Sequence, residues 1–315
     1  MDLLTDVLET FHLQSVLVYR GRVTAPWGVS FAPQKEQADA SFHVVTEGKC
    51  LIRIAETGVE HWLNAGDFVL LPQGHAHSLR DAEDSPVYPL ETIKPLFRNK
   101  DNEDRRTLDY GGSGETTRIL CGKFIFQNTE TDPLLHSLPP VLLVRGERGR
   151  SVDWLEATLA FLSCEADSNR PGANTVLSRL GDILFIQAVR AYLAEMPACE
   201  KGWLRATTDP ALNRALAAIH QNPAHPWTVE TLAQAACLSR SAFAARFTEL
   251  MGEPPLQYLT RWRIHRAAEL LRKSHLPLSE VALQAGYRSE AAFNRVFKRW
   301  IGTTPGQFRQ PTTFG

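Results

Sequence analysis

Residues 228–308 carry one unit twice. The first copy, TVETLAQAACLSRSAFAARFTELMGEPPLQY, spans 228–258, and the second, SEVALQAGYRSEAAFNRVFKRWIGTTPGQF, spans 279–308. Leu232, Ala233, Phe243, Phe247, Gly252, Pro255 and Tyr258 correspond to Val281, Ala282, Phe293, Phe297, Gly302, Pro305 and Phe308, 49 residues apart before an internal turn and 50 after it. Self-similarity at such a period restricts the chain to a fold that uses one supersecondary unit more than once. Each copy has the length and apolar spacing of a helix-turn-helix.

In both copies a hydroxyl residue stands where each helix should be capped: Thr228 and Ser239, then Ser279 and Ser289. Such caps accept first-turn N–H groups and contribute about 1 kcal/mol each. Gly286 suits a left-handed turn between the helices, whereas Cys237 holds that place in the first copy and implies strain or a shifted turn. In the last helix, Phe293, Val296, Phe297, Trp300 and Ile301 follow i, i+3, i+4, i+7, i+8 and define a core face. The opposite face offers Ala291, Asn294, Arg295 and Lys298, with Glu290 in the first turn. Arginine and asparagine bind guanine and adenine bidentately in the major groove, and Lys298 and Arg288 suit phosphates; a solvated charged face is the plain alternative. The first copy presents Ser241, Ala244, Ala245 and Thr248 instead, with Arg246 where Val296 packs and therefore expected at the helix edge. It can contribute Arg240, Ser241, a helix dipole and methyl contacts. Base discrimination is therefore expected in the second copy, and positioning in the first.

Residues 256–274 read as one helix with Leu259, Trp262, Ala267, Leu270 and Leu271 inward, and Arg261, Arg263 and Arg266 directed to phosphates or to its own acids. A rigid connector of this kind holds two reading helices for successive major grooves about 34 Å apart. Charge agrees with a polyanion partner for this part alone: residues 201–315 hold 15 Lys/Arg against 7 Asp/Glu, while the other 200 residues hold 19 against 28.

From Ser15 to about Val144 the pattern changes to short β-rich runs. Ser15–Tyr19, Phe42–Val45, Cys50–Ala55, Phe68–Leu71 and Arg118–Phe126 read as strands, with turns at 47–49, 64–67 and 72–74. This suggests a small antiparallel barrel or jelly roll. The run LNAGDFVLLPQGHAHSL at 63–79 resembles the first motif of cupins. On an extended strand His75 and His77 would share a face, and His43 is placed to join them. With Cys121 as a possible fourth ligand, the three imidazoles would suit Zn²⁺ or another divalent first-row metal. Hydrogen-bonded interior histidines are the alternative, since Ser78-Leu79-Arg80-Asp81 lacks the carboxylate that enzymatic cupins place after His-x-His. Gly111–Gly114 lacks the phosphate-loop pattern and reads as a turn. The five cysteines are scattered without CxxC spacing and suggest free thiols in a reducing compartment, with Cys121 a small buried residue by default.

The connector carries one apolar stripe at Val152, Leu155, Leu159 and Leu162. A second helix, roughly Thr175–Met196, is apolar over much of its circumference through Leu177, Leu180, Leu184, Ile186, Ala188 and Leu193. Such a surface packs on the barrel or on a second copy, and the homodimer contact is the favoured expectation.

The sequence AGYRSEAAFNRVFKRWIGTTPGQFR at 285–309 resembles the closing signature of the AraC/XylS family of transcription regulators, and residues about 205–309 resemble its two-motif DNA-binding domain. The cupin-like half, the connector and HQNPAHPWTVETLA at 220–233 further resemble the subgroup with a cupin ligand-binding domain. That subgroup includes a regulator sensing reactive chlorine, although here the first strand reads Tyr19-Arg20-Gly21, without a thiol. The resemblance implies an α+β multidomain chain: a cupin-like antiparallel β-barrel at 1–148, a helical connector at 149–203, and an all-α domain at 204–315 with motifs at 228–250 and 279–301. It implies a regulator, most simply an activator, that binds double-stranded promoter DNA, meets RNA polymerase and senses a small-molecule effector or a redox or metal signal. The rival is a metal-dependent cupin dioxygenase or isomerase fused to a DNA-binding module. No apolar run reaches the roughly 20 residues of a membrane span, and MDLLTDVLETFHLQ does not read as a secretory signal. A cytoplasmic protein is expected.

Overall fold

The computed structural model describes residues 5, 14–33, 39–98, 106–126, 133–146, 153–167, 170–197 and 201–309. The N-terminal segment, Val152 and the side chain of Leu155 lie outside them. The chain divides into two compact units, His12–Gln127 with Leu138–Glu195, and Met196–Gly315 with Met1–Phe11 and Asn128–Ser137.

The first unit is built on strands β1 (Gln14–Thr24), β2 (Gly28–Phe31), β3 (Asp39–Glu47), β4 (Lys49–Ile54), β5 (Glu60–Asn64), β6 (Phe68–Leu71), β7 (His77–Arg80), β8 (Tyr88–Pro89), β9 (Phe97–Arg98), β10 (Arg106–Gly111), β11 (Thr116–Ile125) and β12 (Leu142–Val144). They form two sheets, ordered β12-β6-β3-β11-β1-β10-β9 and β5-β4-β7-β2-β8. The sheet-rich cupin-like domain is present, and it differs from the expected antiparallel barrel or jelly roll in two details. The sheets do not close on one another, and β1–β10 and β2–β8 run parallel. Each sheet has a very short edge, two residues in β9 and in β8, which offers little ladder for a closing pairing.

Between the sheets lies a core containing Trp27, Val45, Ile52, Ile54, Leu63, Val69, Leu71, Leu79 and Ile119. Period-two alternation explains it: in β4, Cys50, Ile52 and Ile54 enter this core while Lys49 and Arg53 are exposed. A further aromatic layer comprises Phe42, Phe68 and Phe124. Helices α1 (Asp153–Asp167) and α2 (Ala173–Glu195) belong to this unit. Helix α2 lies against β1, with Phe185 5.2 Å from Phe124 and Asp182 Oδ1 accepting from Ser15 N–H at 3.1 Å. A Cβ on Gly181 would stand 2.2 Å from Ser15 Oγ, so the close approach requires glycine. Packing within the unit therefore accounts for Leu177, Leu180, Leu184, Phe185, Ala188 and Val189, all buried. What remains uncovered is narrower than the sequence suggested: Phe161 on α1 and Ile183 on α2 are 52% and 44% exposed.

The second unit is helical: α3 (Trp203–Thr208), α4 (Pro210–Gln221), α5 (Val229–Ala235), α6 (Arg240–Met251), α7 (Pro255–Lys273), α8 (Leu278–Gln284), α9 (Glu290–Ile301) and α10 (Pro305–Arg309). Three of the four expected caps form. Thr228 exchanges bonds with Thr231 in a capping box, and Ser239 and Ser289 accept from Ala242 and Ala292 N–H. Ser279 does not cap, because α8 begins at Leu278 behind Pro277 and Ser279 falls inside the first turn. Helices α6 and α9 stop at Gly252 and Gly302, both left-handed. Leu259, Trp262, Ala267 and Leu271 of α7 are buried, and Leu270 is half-buried.

At the first internal turn Cys237 adopts φ +57°, a positive value for a residue with a Cβ. This conformation costs roughly 1–2 kcal/mol outside glycine, and the thiol is exposed, so no core contact holds it there. After the added chain entropy of glycine, Cys237→Gly is expected to stabilise the helical unit by up to about 1 kcal/mol. The midpoint of urea unfolding measures this, and an unchanged or lower midpoint refutes it.

Candidate nucleic-acid interface

Helix α9 exists because its apolar stripe is buried: Phe293 and Phe297 are inaccessible and join Ile264, Ala267, Leu271, Val281, Ala282 and Ala285 in one cluster, with Val296, Trp300 and Ile301 half-buried against it. That packing turns the other face out. Arg288, Glu290, Ala291, Arg295 and Lys298 are exposed, and Arg299 is exposed as well. Asn294 departs from the expected face. It is half-buried, and its Oδ1 is enclosed without a hydrogen-bond partner among the described residues.

Helix α6 exposes Arg240, Ser241 and Ala245, with Ala244 half-buried. Arg240 pairs with Glu230 of α5 at 3.1 Å. Arg246 does reach the helix edge, where its Nε donates to Asp209 Oδ2 at 2.8 Å and a second nitrogen reaches the same oxygen. Asp209 also caps α4 by accepting from Ala211 and Leu212 N–H, each at 3.0 Å. Burial opposes its ionisation, but these bonds and Arg246 prevail and hold its carboxyl below the usual range. The Asp-Pro pair at 209–210 is a helix-start signature that sequence reasoning could have used.

The arginines of α7 are committed elsewhere. Arg266 and Lys273 pair with Glu269 of the same helix at 2.6 and 2.7 Å, so the own-acid alternative describes Arg266, whereas Arg261 pairs at 2.5 Å with Glu253, which lies before α7. Arg263 is a correction: it donates to the carbonyls of Pro223 and His225. Behind α7, His220 stacks on Trp262 with ring centroids 3.7 Å apart and lies 2.7 Å from the Tyr258 hydroxyl. Burial pushes His220 down to about 3 and His265 to about 4, leaving both neutral.

The histidines of the sheet unit do not converge as expected. Strand β7 begins at His77, so His75 lies before it rather than one pleat back on the same face, and it pairs with Glu56 at 2.5 Å. His43 and His77 do meet, at 2.7 Å between their Nε2 atoms, and His43 Nδ1 is 3.0 Å from Cys121 Sγ. Tyr19 is hydrogen-bonded to the same sulfur. The proton positions follow by elimination. The His75 carbonyl can only accept, so His77 Nδ1, 2.8 Å away, carries a proton. Neutral His77 then accepts at Nε2 from His43, which in turn accepts at Nδ1 from the Cys121 thiol. Burial maintains this neutral chain by lowering His43, lowering His77 to about 4 and raising Cys121 to about 12.

A metal does not fit these residues. Two nitrogens on a tetrahedral ion at 2.0–2.1 Å lie about 3.3 Å apart, whereas the two imidazoles are at bonding distance from each other and each ring nitrogen already has a partner. Among the described residues no group of three or more His, Cys, Asp or Glu side chains is placed to hold a metal ion. The four residues are therefore not gathered into one ligand set: His43, His77 and Cys121 form a hydrogen-bonded chain, and His75 pairs with Glu56 outside it. No helix among the described residues is long and apolar enough to cross a membrane.

Comparison with known proteins agrees with both units. Residues 2–194 match a family described as cupin, and residues 232–311 match a helix-turn-helix domain. An AraC-like transcription regulator of Streptomyces antibioticus is 34% identical over 317 residues, covering 98% of this chain and 99% of that protein. The HTH-type transcriptional regulator AlkR of Acinetobacter baylyi is 31% identical, with the same shares covered. The DNA-binding domain of AdpA, solved in complex with a target DNA, is 37% identical, covers 32% of this chain and 90% of that one, and has a TM-score of 0.31. A sheet-rich cupin domain followed by a paired helix-turn-helix domain, with relatives named as AraC-like regulators, defines a transcription regulator. The chain belongs to the AraC-type family of transcription regulators.

Proposed function

We propose that the helical unit reads double-stranded promoter DNA with α9 as the base-reading helix and α6 as the positioning helix. One observation carries this reading. Arg288, Arg295 and Lys298 stand exposed without an ion-pair partner among the described residues, whereas Arg240 and Arg246 of the first motif are paired with Glu230 and Asp209. Arg295 reads a guanine edge, and Asn294 joins it by turning its amide outward. Lys298 and Arg288 contact phosphates, Glu290 and Ala291 line the groove wall, and Arg240, Ser241, Ala244 and Ala245 supply orientation and methyl contacts in the first motif. The test is operator binding at fixed salt, with the operator selected from random DNA. Arg295→Ala is expected to lower affinity by about 10- to 100-fold, the 1–3 kcal/mol of a bidentate pair. Arg240→Ala is expected to lower it less, and an equal or larger loss with Arg240→Ala refutes the assignment.

The regulator works in the cytoplasm as a homodimer, with the Phe161 and Ile183 face as the contact between copies, and activates transcription through RNA polymerase. Its cupin unit takes a small-molecule effector. The rival reading as a metal-dependent enzyme has no support from the interior chain, whose groups bond to one another and whose thiol stays protonated.

A further inference from the structure

Arg263 sits in the middle of α7, half-buried, and makes three contacts with two separate parts of the helical unit. Its Nε donates to the Pro223 carbonyl at 2.7 Å and its Nη2 to the His225 carbonyl at 2.8 Å. Both carbonyls belong to the loop that leads into the Thr228 cap of the first motif. The loop is itself braced, with Trp227 Nε1 donating to the Asn222 carbonyl at 2.9 Å and His225 N–H donating to the same carbonyl at 3.2 Å. On its other side the Arg263 guanidinium lies 5.9 Å from the centre of the Tyr287 ring, in the internal turn of the second motif. The turn is pressed close: a Cβ on Gly286 would stand 2.9 Å from Arg263 Cζ and 2.9 Å from Ala224 Cα. Glycine at φ +82° is thus required twice, by the backbone and by the arginine beside it.

We propose that Arg263 is the positioning residue that fixes the first motif relative to the second, so that this arginine sets the spacing the protein accepts between the two DNA subsites. The inference rests on the DNA-reading function proposed above. A planar guanidinium can hold two carbonyls and lie over a ring at once; a lysine ammonium is a point donor on a flexible stem and cannot. With both carbonyls and the Tyr287 ring held by one rigid group, the approach to α5 and the turn before α9 move together. On DNA, one added base pair shifts the second subsite by about 3.4 Å and rotates it by about 35°, a displacement that a locked pair of motifs cannot follow.

The test compares the full-length protein with Arg263→Met and Arg263→Lys, using a selected operator and two derivatives with one base pair inserted or removed between the contacted subsites. The unsubstituted protein is expected to prefer the native spacing by about tenfold or more. Arg263→Met is expected to bring the three operators within about threefold of one another, and Arg263→Lys to fall between, as one of two carbonyls regains a donor. A variant that weakens all three operators equally and keeps the preference overturns the inference, as does an unsubstituted protein without preference. If no DNA is selected at all, the DNA-reading function fails, and amide hydrogen exchange decides Arg263 separately. Arg263→Met must then speed exchange in both 224–228 and 286–288, and protection kept in either overturns the inference. Far-UV circular dichroism monitors folding, and Arg263→Lys carries the comparison if the methionine variant does not fold.

Discussion

Lowering the pH from 7 to 5 is expected to destabilise both units, and the helical unit by about 4 kcal/mol. Burial keeps His220 and His265 neutral, with pKa lowered to about 3 and about 4. In the unfolded chain each titrates near 6.5. Below that pH the unfolded chain takes up protons that the folded unit refuses, so stability is fully present above about 6.5 and falls as pH drops toward the folded values. The slope is about 1.36 kcal/mol per pH unit for each histidine, or about 2 kcal/mol each by pH 5. Cationic Arg261 and Arg266 reinforce the effect at both residues, while Glu269 opposes it at His265. A loss of that size is a large part of the 5–15 kcal/mol typical of a domain. His43 and His77 add the same sign in the sheet unit. Urea titrations at the two pH values check this, and a midpoint that does not fall on acidification refutes it.

Replacing Phe297 is expected to unfold the second motif. Its ring is inaccessible, 5.5 Å from Phe293 and 5.4 Å from Phe308, at the centre of the small cluster that joins α7, α8, α9 and α10. Phe297→Ala removes the ring and leaves a cavity, together about 3–5 kcal/mol. Because the exposed face of α9 is held outward only by this packing, operator binding should be lost with it. Arg299→Ala, on the exposed side of the same helix, should stay within about 0.5 kcal/mol. Thermal unfolding and operator titration of both variants measure the contrast. A Phe297→Ala protein of nearly unchanged stability refutes the account of the cluster.

The parts of this fold that were legible are those set by short-range periodicity. The apolar spacing from Phe293 to Ile301 located α9 and its buried face, and the run from 256 to 274 located α7 to within a residue at each end. Cys237 in the place of a glycine signalled strain or a shifted turn, and the outcome is the strained one, a left-handed φ of +57°. Errors came where a neighbour moved a boundary. Pro277 starts α8 one residue early and strips Ser279 of its capping role, and the segment after Gly74 stays irregular until His77, which removes His75 from the strand. Arg263 could not be read at all, because its carbonyl partners lie some 40 residues upstream and a carbonyl leaves no trace in residue type. Sheet closure was equally hidden, since alternation states which face is buried but not which edges pair. For the site, residue type identified the exposed cations of α9 but not the pairing that occupies those of α6 and α7.

The neutral chain from Tyr19 through Cys121, His43 and His77 to the His75 carbonyl has a single sense, since its last member cannot donate. Its bond dipoles therefore add rather than cancel. The interior of the sheet unit is polarised along that line, with proton density displaced toward β7 and lone-pair density toward β1. Any molecule settling beside it meets an oriented field rather than an apolar wall, and the field persists as long as both imidazoles remain uncharged.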